Sequence, residues 1–238
     1  MNILKRFITL SRKEDTFVNK KCVLTKDLFE CDIPYLKEVF ANAKYPWEIL
    51  PQIKGIVKKV LEEGLPGYHL LKEGILVGEN VSIAETATII PPAIIGSNTE
   101  IRPGAYLRGN VIVGESCVLG NSSEFKNCIL LYHVQAPHYN YVGDSILGNY
   151  AHMGAGSICS NLKSDGKNIV VHGEEEYETG LRKIGGILAD HADIGCGSVL
   201  NPGTVIGKNT QVYPLSNVRG VVPENSIYKA KDNIVDKR

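Results

Sequence analysis

His138 is the residue best suited to move a proton. It stands in the stretch YHVQAPHYNY, residues 132–141, beside Pro137 and close to Tyr139 and Tyr141. A histidine can accept a proton from an amine or hydroxyl near neutral pH. Lys126 precedes it in the chain, directly after Phe125. Arg102 and Arg108 lie in IRPGAYLRGN, upstream of Lys126. Cations spaced in this way suit a phosphate. His133 and His152 read as surface histidines, or with His138 as a metal trio.

These residues sit on a repeat. Every sixth residue is apolar through Val77, Ile83, Ile89, Ile95, Ile101, Leu107, Val113, Leu119, Phe125 and Leu131. The position four further on is small or β-branched, as in Ala87, Ala93, Thr99 and Ser123. Glycine often follows the leading residue, as in Ile95-Gly96 and Leu119-Gly120. A period of six fits neither a helix nor a simple alternating strand; it fits a solenoid of short strands and sharp corners. The leading residue points inward, and glycine or asparagine accommodates the corner dihedrals. The register slips, returns at Leu147, Met153 and Cys159, and resumes from Leu188 to Val218. Coils of three hexads then number about three in 77–131 and about three in 142–161 and 184–222. Arg108 and Lys126 stand three hexads apart and should stack, one coil above the other.

Residues 75–223 are therefore expected to form the solenoid, with inserts at 132–141 and 163–182. The second insert, KSDGKNIVVHGEEEYETGLR, is too charged for a coil. Insertions in solenoids tend to lie on the binding face. Residues 1–74 lack the hexad register and are expected to form a small, mostly helical cap over the first coil. There Asp32 would cap a helix through Phe40, and Pro46-Trp47-Glu48 would open another ending at Gly64. The polar tail 224–238 is expected to fray.

The 238 residues carry 26 basic and 26 acidic side chains, which argues against a basic nucleic-acid surface. With 24 glycines and 7% aromatics, the chain is rich in tight turns. The stretch MNILKRFITLSRKEDTF lacks a signal-peptide core, and no run approaches the ~18 apolar residues of a membrane span. The six cysteines form no CxxC pair and read as free, buried thiols in a reducing cytoplasm.

The hexads resemble the left-handed parallel β-helix of the hexapeptide-repeat acyltransferases. Three polar segments narrow the likeness: Glu124-Phe-Lys126, APHYNYVGD at 136–144 and GAGSICSN at 154–161. They are similar to the acetyltransferase domain of N-acetylglucosamine-1-phosphate uridyltransferase/glucosamine-1-phosphate acetyltransferase, and more so to its archaeal-type sugar-1-phosphate nucleotidylyltransferase relatives. The resemblance covers about residues 75–222. It implies His138 as the general base, Lys126 and Tyr141 on the substrate phosphate, and Asn161 on the sugar. It places Ala155 and Cys196 along coenzyme A. The family arginine falls on Arg102 by motif and on Arg108 by coil spacing. Arg182 and Lys183 would supply a further cation after the insert. His152 and Leu162 replace the asparagine and tyrosine of the bacterial pattern. The nucleotidylyltransferase signature is missing from residues 1–76, so such a partner would be a separate protein.

The resemblance implies acetyl-CoA-dependent N-acetylation of an amino-sugar phosphate such as glucosamine-1-phosphate, in a homotrimer and without a metal. The alternative is a non-catalytic sugar-phosphate or sugar-nucleotide binding relative. A zinc trio of His133, His138 and His152, as in γ-type carbonic anhydrase, is a further alternative from which the order H-x4-H departs.

Overall fold

The computed structural model describes residues 22–237; the stretch read above for a signal peptide lies outside them. Short strands wind into a triangular parallel β-solenoid with three faces. Face A begins with Ile75–Val77, face B with Ser82–Ile83 and face C with Thr88–Ile90. Faces A and B each hold eight parallel strands plus one antiparallel edge strand, and face C holds seven. The inward residues fill one continuous core in which Ile95, Leu107, Phe125 and Leu200 are fully buried. Each such side chain contributes about 1.5–3 kcal/mol of burial.

The first coils are three full hexads long: Val77 pairs with Ile95 and Ile95 with Val113. The next is shorter by a single position, because Val113 pairs with Leu130. The inward residue there is thus Leu130, and Leu131, the tenth member of the hexad series, packs outside the prism. The shortening falls at Asn127, which turns the corner at φ 47°. It also explains the stretch 132–141. Residues Gln135–His138 are a strand of face B, paired with Val118–Asn121, and not an insert. They complete a coil, which raises the number above the six expected.

The glycines after the inward residues serve close approach rather than dihedral freedom. A Cβ on Gly96 would lie 2.4 Å from the Gly114 carbonyl carbon, and one on Gly120 would overlap the Pro137 carbonyl. The left-handed corner position comes two residues later, at Asn80, Asn98, Ser116 and Ser122.

The helical region lies along the side of the prism rather than over its first coil. The outward middle residues of face A are apolar on every rung: Leu76, Ile94, Ile112, Ile129, Ile146, Ile187, Val205 and Val221. Leu28, Leu36, Trp47, Ile53 and Val57 pack on this stripe in a second core. The first helix of length is Pro34–Asn42, capped by Ile33 with Pro34 at its first position; Asp32 instead pairs with Lys37 at 3.8 Å. Pro46–Glu48 and Leu50–Gln52 are 3-10 turns leading into Ile53–Glu63, which ends at Gly64 with φ 74°. On face A the edge of the first coil is paired by His69–Lys72.

The charged segment 163–182 leaves the solenoid as the hairpin Val170–His172 and Glu176–Glu178. Its Ile169 and Val171 join the second core, and Tyr177 packs on Tyr45, ring centroids 5.5 Å apart. The tail does not fray: Ser226–Ala230 continues face B, with Tyr228 inward, and Asn233–Asp236 pairs back on it. No described helix is long and apolar enough to cross a membrane.

Candidate active site

His138 ends its face B strand at the corner between faces B and C. The same corner on the next two coils carries Ala155 and Cys196. Gly156 N–H donates to the His138 carbonyl at 3.0 Å, and Gly197 N–H to that of Ala155 at 2.8 Å. All three residues are exposed, so the corner presents a continuous edge to solvent. Beneath it lies Asn140, 3% exposed. Its Oδ1 accepts from the His138 N–H at 3.1 Å, and its Nδ2 donates to the Gly154 carbonyl at 2.9 Å and to Ser157 Oγ at 3.1 Å. Asn140 therefore ties the turn that carries His138 to the next coil. Its signal in the sequence was its place in the small corner column, one coil after Ser123.

Lys126, Tyr141 and Asn161 gather at the other side of face C, around Asp144. This carboxylate turns the C/A corner at φ 48° and is 6% exposed. It accepts from Asn127 Nδ2 at 2.9 Å and from Asn161 Nδ2 at 2.5 Å, and lies 3.5 Å from Lys126 Nζ. Asn161 also donates to the Tyr141 hydroxyl at 3.2 Å. Burial, then Glu124 and Asp144, push the Tyr141 phenol above its ordinary pKa, so it stays a donor. Gly143 leaves room for this pair; a Cβ there would meet Tyr141 Oη at 2.5 Å. Lys183 bridges back to Leu162, and with Arg182 it lines a groove of about 510 Å³ beside Asp144 and Asn127.

The two arginines part company. Arg108 stands on face C in the column of Lys126 and pairs with Glu124 at 2.6 Å. Arg102 follows Ile101 on face B and pairs with Glu100 at 3.1 Å. Coil position therefore groups Arg108, and not Arg102, with Lys126.

The histidines are also divided. His133 stacks on Tyr150, and Tyr150 on His191, at 4.6 and 4.9 Å along the A/B corner. His152 projects from face B, with Nδ1 2.8 Å from Asp193 Oδ1. No group of three or more metal-ligating residues comes together among the described residues. Cys22, Cys117, Cys128 and Cys159 are buried; against expectation Cys31 is half-buried, and Cys196 is exposed because it turns the B/C corner. Burial pushes the Cys117 and Cys159 thiols up to about 12.

A family model described as the GMPPB C-terminal domain matches residues 89–176. The bifunctional protein GlmU of Methanococcus aeolicus is 31% identical over 195 residues, which cover 81% of this chain and 47% of the relative. The bifunctional sugar-1-phosphate nucleotidylyltransferase/acetyltransferase of Sulfurisphaera tokodaii is 31% identical over 160 residues, covering 67% of this chain and 40% of the relative. The chain thus spans about half the length of the curated relatives it matches. Among solved structures, PerB from Caulobacter crescentus, in complex with CoA and GDP-perosamine, aligns at 16% identity and a TM-score of 0.39, over 62% of this chain and 52% of that one. The chain is a hexapeptide-repeat β-solenoid homologous to the C-terminal region of the GlmU and sugar-1-phosphate nucleotidylyltransferase/acetyltransferase proteins.

Proposed function

We infer that this protein transfers an acetyl group from coenzyme A to the amine of an amino-sugar phosphate or nucleotide sugar, with glucosamine-1-phosphate as the first acceptor to test. The observation that carries this reading is the edge His138–Ala155–Cys196 beside the Lys126–Tyr141–Asn161 cluster. One short strand separates them, roughly 10 Å, about the span of a sugar and its phosphate. His138 takes a proton as the amine attacks the thioester. A backbone amide near Ala155 stabilises the oxyanion; the Gly156 N–H is committed to the His138 carbonyl. Lys126, Arg108 and Lys183 hold the phosphate, and Ala155 and Cys196 border coenzyme A.

His138 lies on an open edge, so a second subunit supplies the other wall of the site, in a homotrimer. The setting is the cytoplasm, with a separate nucleotidylyltransferase as the functional partner. Free-thiol release from acetyl-CoA with glucosamine-1-phosphate tests the reading. His138→Ala should lower kcat by about 10²–10⁴-fold, the usual worth of a general base. Full activity in that variant refutes the mechanism, and a wild type inert across amino-sugar phosphates and nucleotide amino sugars refutes the acceptor class.

The ion pairs Arg108–Glu124 and Lys126–Asp144 favour a second reading, a binding module without catalysis, since each cation already has a carboxylate. Such a module is stabilised thermally by a sugar phosphate and not by coenzyme A.

A further inference from the structure

Acylating an amine at neutral pH removes two protons from nitrogen. The ammonium form loses one before it can attack, and the nitrogen loses a second as the amide forms. The departing thiolate takes up one of them, and the other must reach solvent. His138 accounts for one transfer, and its side chain has no carboxylate partner among the described residues. A base oriented by a third group is the more usual arrangement. That arrangement is present one coil away, at His152.

His152 Nδ1 lies 2.8 Å from Asp193 Oδ1. With the carboxylate ionised, Nδ1–H donates to it and Nε2 is left as an acceptor, with no partner among the described residues. The His152 hydrogen bond holds the Asp193 carboxyl below the usual carboxylate range, and Gln211 also donates to it. The charged and titratable surroundings are few. Gln135 faces His152 from the preceding strand and Asp193 from the following one, with Gln211 and Lys237 beyond Asp193.

His152 and His138 project from the same part of face B. The register places His152 opposite Gln135, and His138 three positions further along that strand. Their backbone positions are thus about 11 Å apart, from ~3.3 Å per residue and ~4.8 Å per coil. Between them run Gly120, Pro137, Gly154 and Gly195, one on each coil. Their glycines are demanded by coil packing, since a Cβ on Gly154 would sit 2.6 Å from the Cys196 amide nitrogen. The result is a strip free of large side chains, with a histidine on either side.

We propose that His152, held by Asp193, is a second base of this site, which takes the first proton from the acceptor ammonium and passes it to solvent. The amine then attacks the thioester carbonyl, the N–C bond forms and the C–S bond breaks. His138 receives the second nitrogen proton and delivers it to the thiolate. The His152 side chain is 41% exposed, so its proton has a way out. This role rests on the acyl-transfer reading above.

The test is the pH dependence of kcat/KM for the amine in wild type, His152→Asn, Asp193→Asn and the double variant. The expected loss in each single variant at about pH 7 is roughly 10- to 100-fold, below the full worth of a general base. It should shrink to within about threefold at high pH, where the acceptor amine is already neutral, whereas His138→Ala stays impaired throughout. The double variant should lose no more than His152→Asn alone. A uniform loss across pH, or additive losses, overturns the proposal. Ring-nitrogen NMR of the intact protein gives a readout independent of turnover. Asp193→Asn should abolish the downfield Nδ1–H signal of the hydrogen-bonded His152 ring and leave the ring signals of His138 in place. An unaltered His152 ring signal refutes the dyad, while an altered signal in a protein inert toward every acceptor refutes the acyl-transfer reading and with it the base role.

Discussion

The Asp144 carboxylate lies 3.5 Å from the Lys126 ammonium, at a corner where it also receives the amides of Asn127 and Asn161. One buried acid therefore organises the cation and the amide assigned to phosphate and sugar. Asp144→Asn should raise KM for a sugar-phosphate acceptor more than it lowers kcat, because the loss falls on substrate placement. The shift is expected to be about tenfold, near the ~1.5–3 kcal/mol of a charged hydrogen bond. Steady-state kinetics with varied acceptor checks it, and an unchanged KM sinks the assignment.

Asn140→Ala should destabilise the fold by about 1–3 kcal/mol, because buried donors and acceptors on two coils lose their partner. Denaturant titration measures this. The same variant should lower turnover, since the turn bearing His138 loses its tie to Gly154 and Ser157.

Ile112→Asp should be as damaging as Val113→Asp, although only Val113 points into the prism. Ile112 is fully buried beneath the helical segment. An unpaired carboxylate in either place costs several kcal/mol. Thermal unfolding of the two variants side by side decides the matter, and a mild Ile112→Asp would mean the helices do not hold to face A in solution.

Asp193 also links stability to pH. Its folded-state value is lowered, so its contribution is whole above the usual aspartate value of 3.8 and drains as pH falls through the lowered one. Asp193→Asn should flatten the dependence of unfolding free energy on pH in that acid window and leave the neutral region little changed. Urea titrations at a series of acid pH values report the slope.

Much of the solenoid is legible because one rule repeats: an apolar residue every six, with a glycine where the next coil comes close. What escaped that rule had a longer or broken period. The stripe Leu76, Ile94, Ile112 recurs only once per coil, directly before an inward residue, so a count of hexads passes over it. A single missing residue near Asn127 moved the inward place from Leu131 to Leu130 and made a regular coil look like an insert. Tyr228 continues the inward column of Val212, but the polar residues around it resemble a tail. At the site, the segments around Lys126, His138 and Asn161 stand out by motif. The partnership of His152 with Asp193 does not, because the hairpin excursion sets the two far apart in the chain. Nor does the neutralisation of Arg108 and Lys126, which depends on which carboxylates the adjacent coils bring alongside.

The helices and the hairpin together occupy face A, and this makes the three edges of the prism unequal. Two edges border a surface the chain has already spent on itself. The third, between faces B and C, has open sheet on both flanks and carries His138, Ala155 and Cys196. A second prism that sets its flank against this one without displacing the helices meets that edge first. In the trimer proposed above, the chain's own packing would make this edge the line of contact between copies.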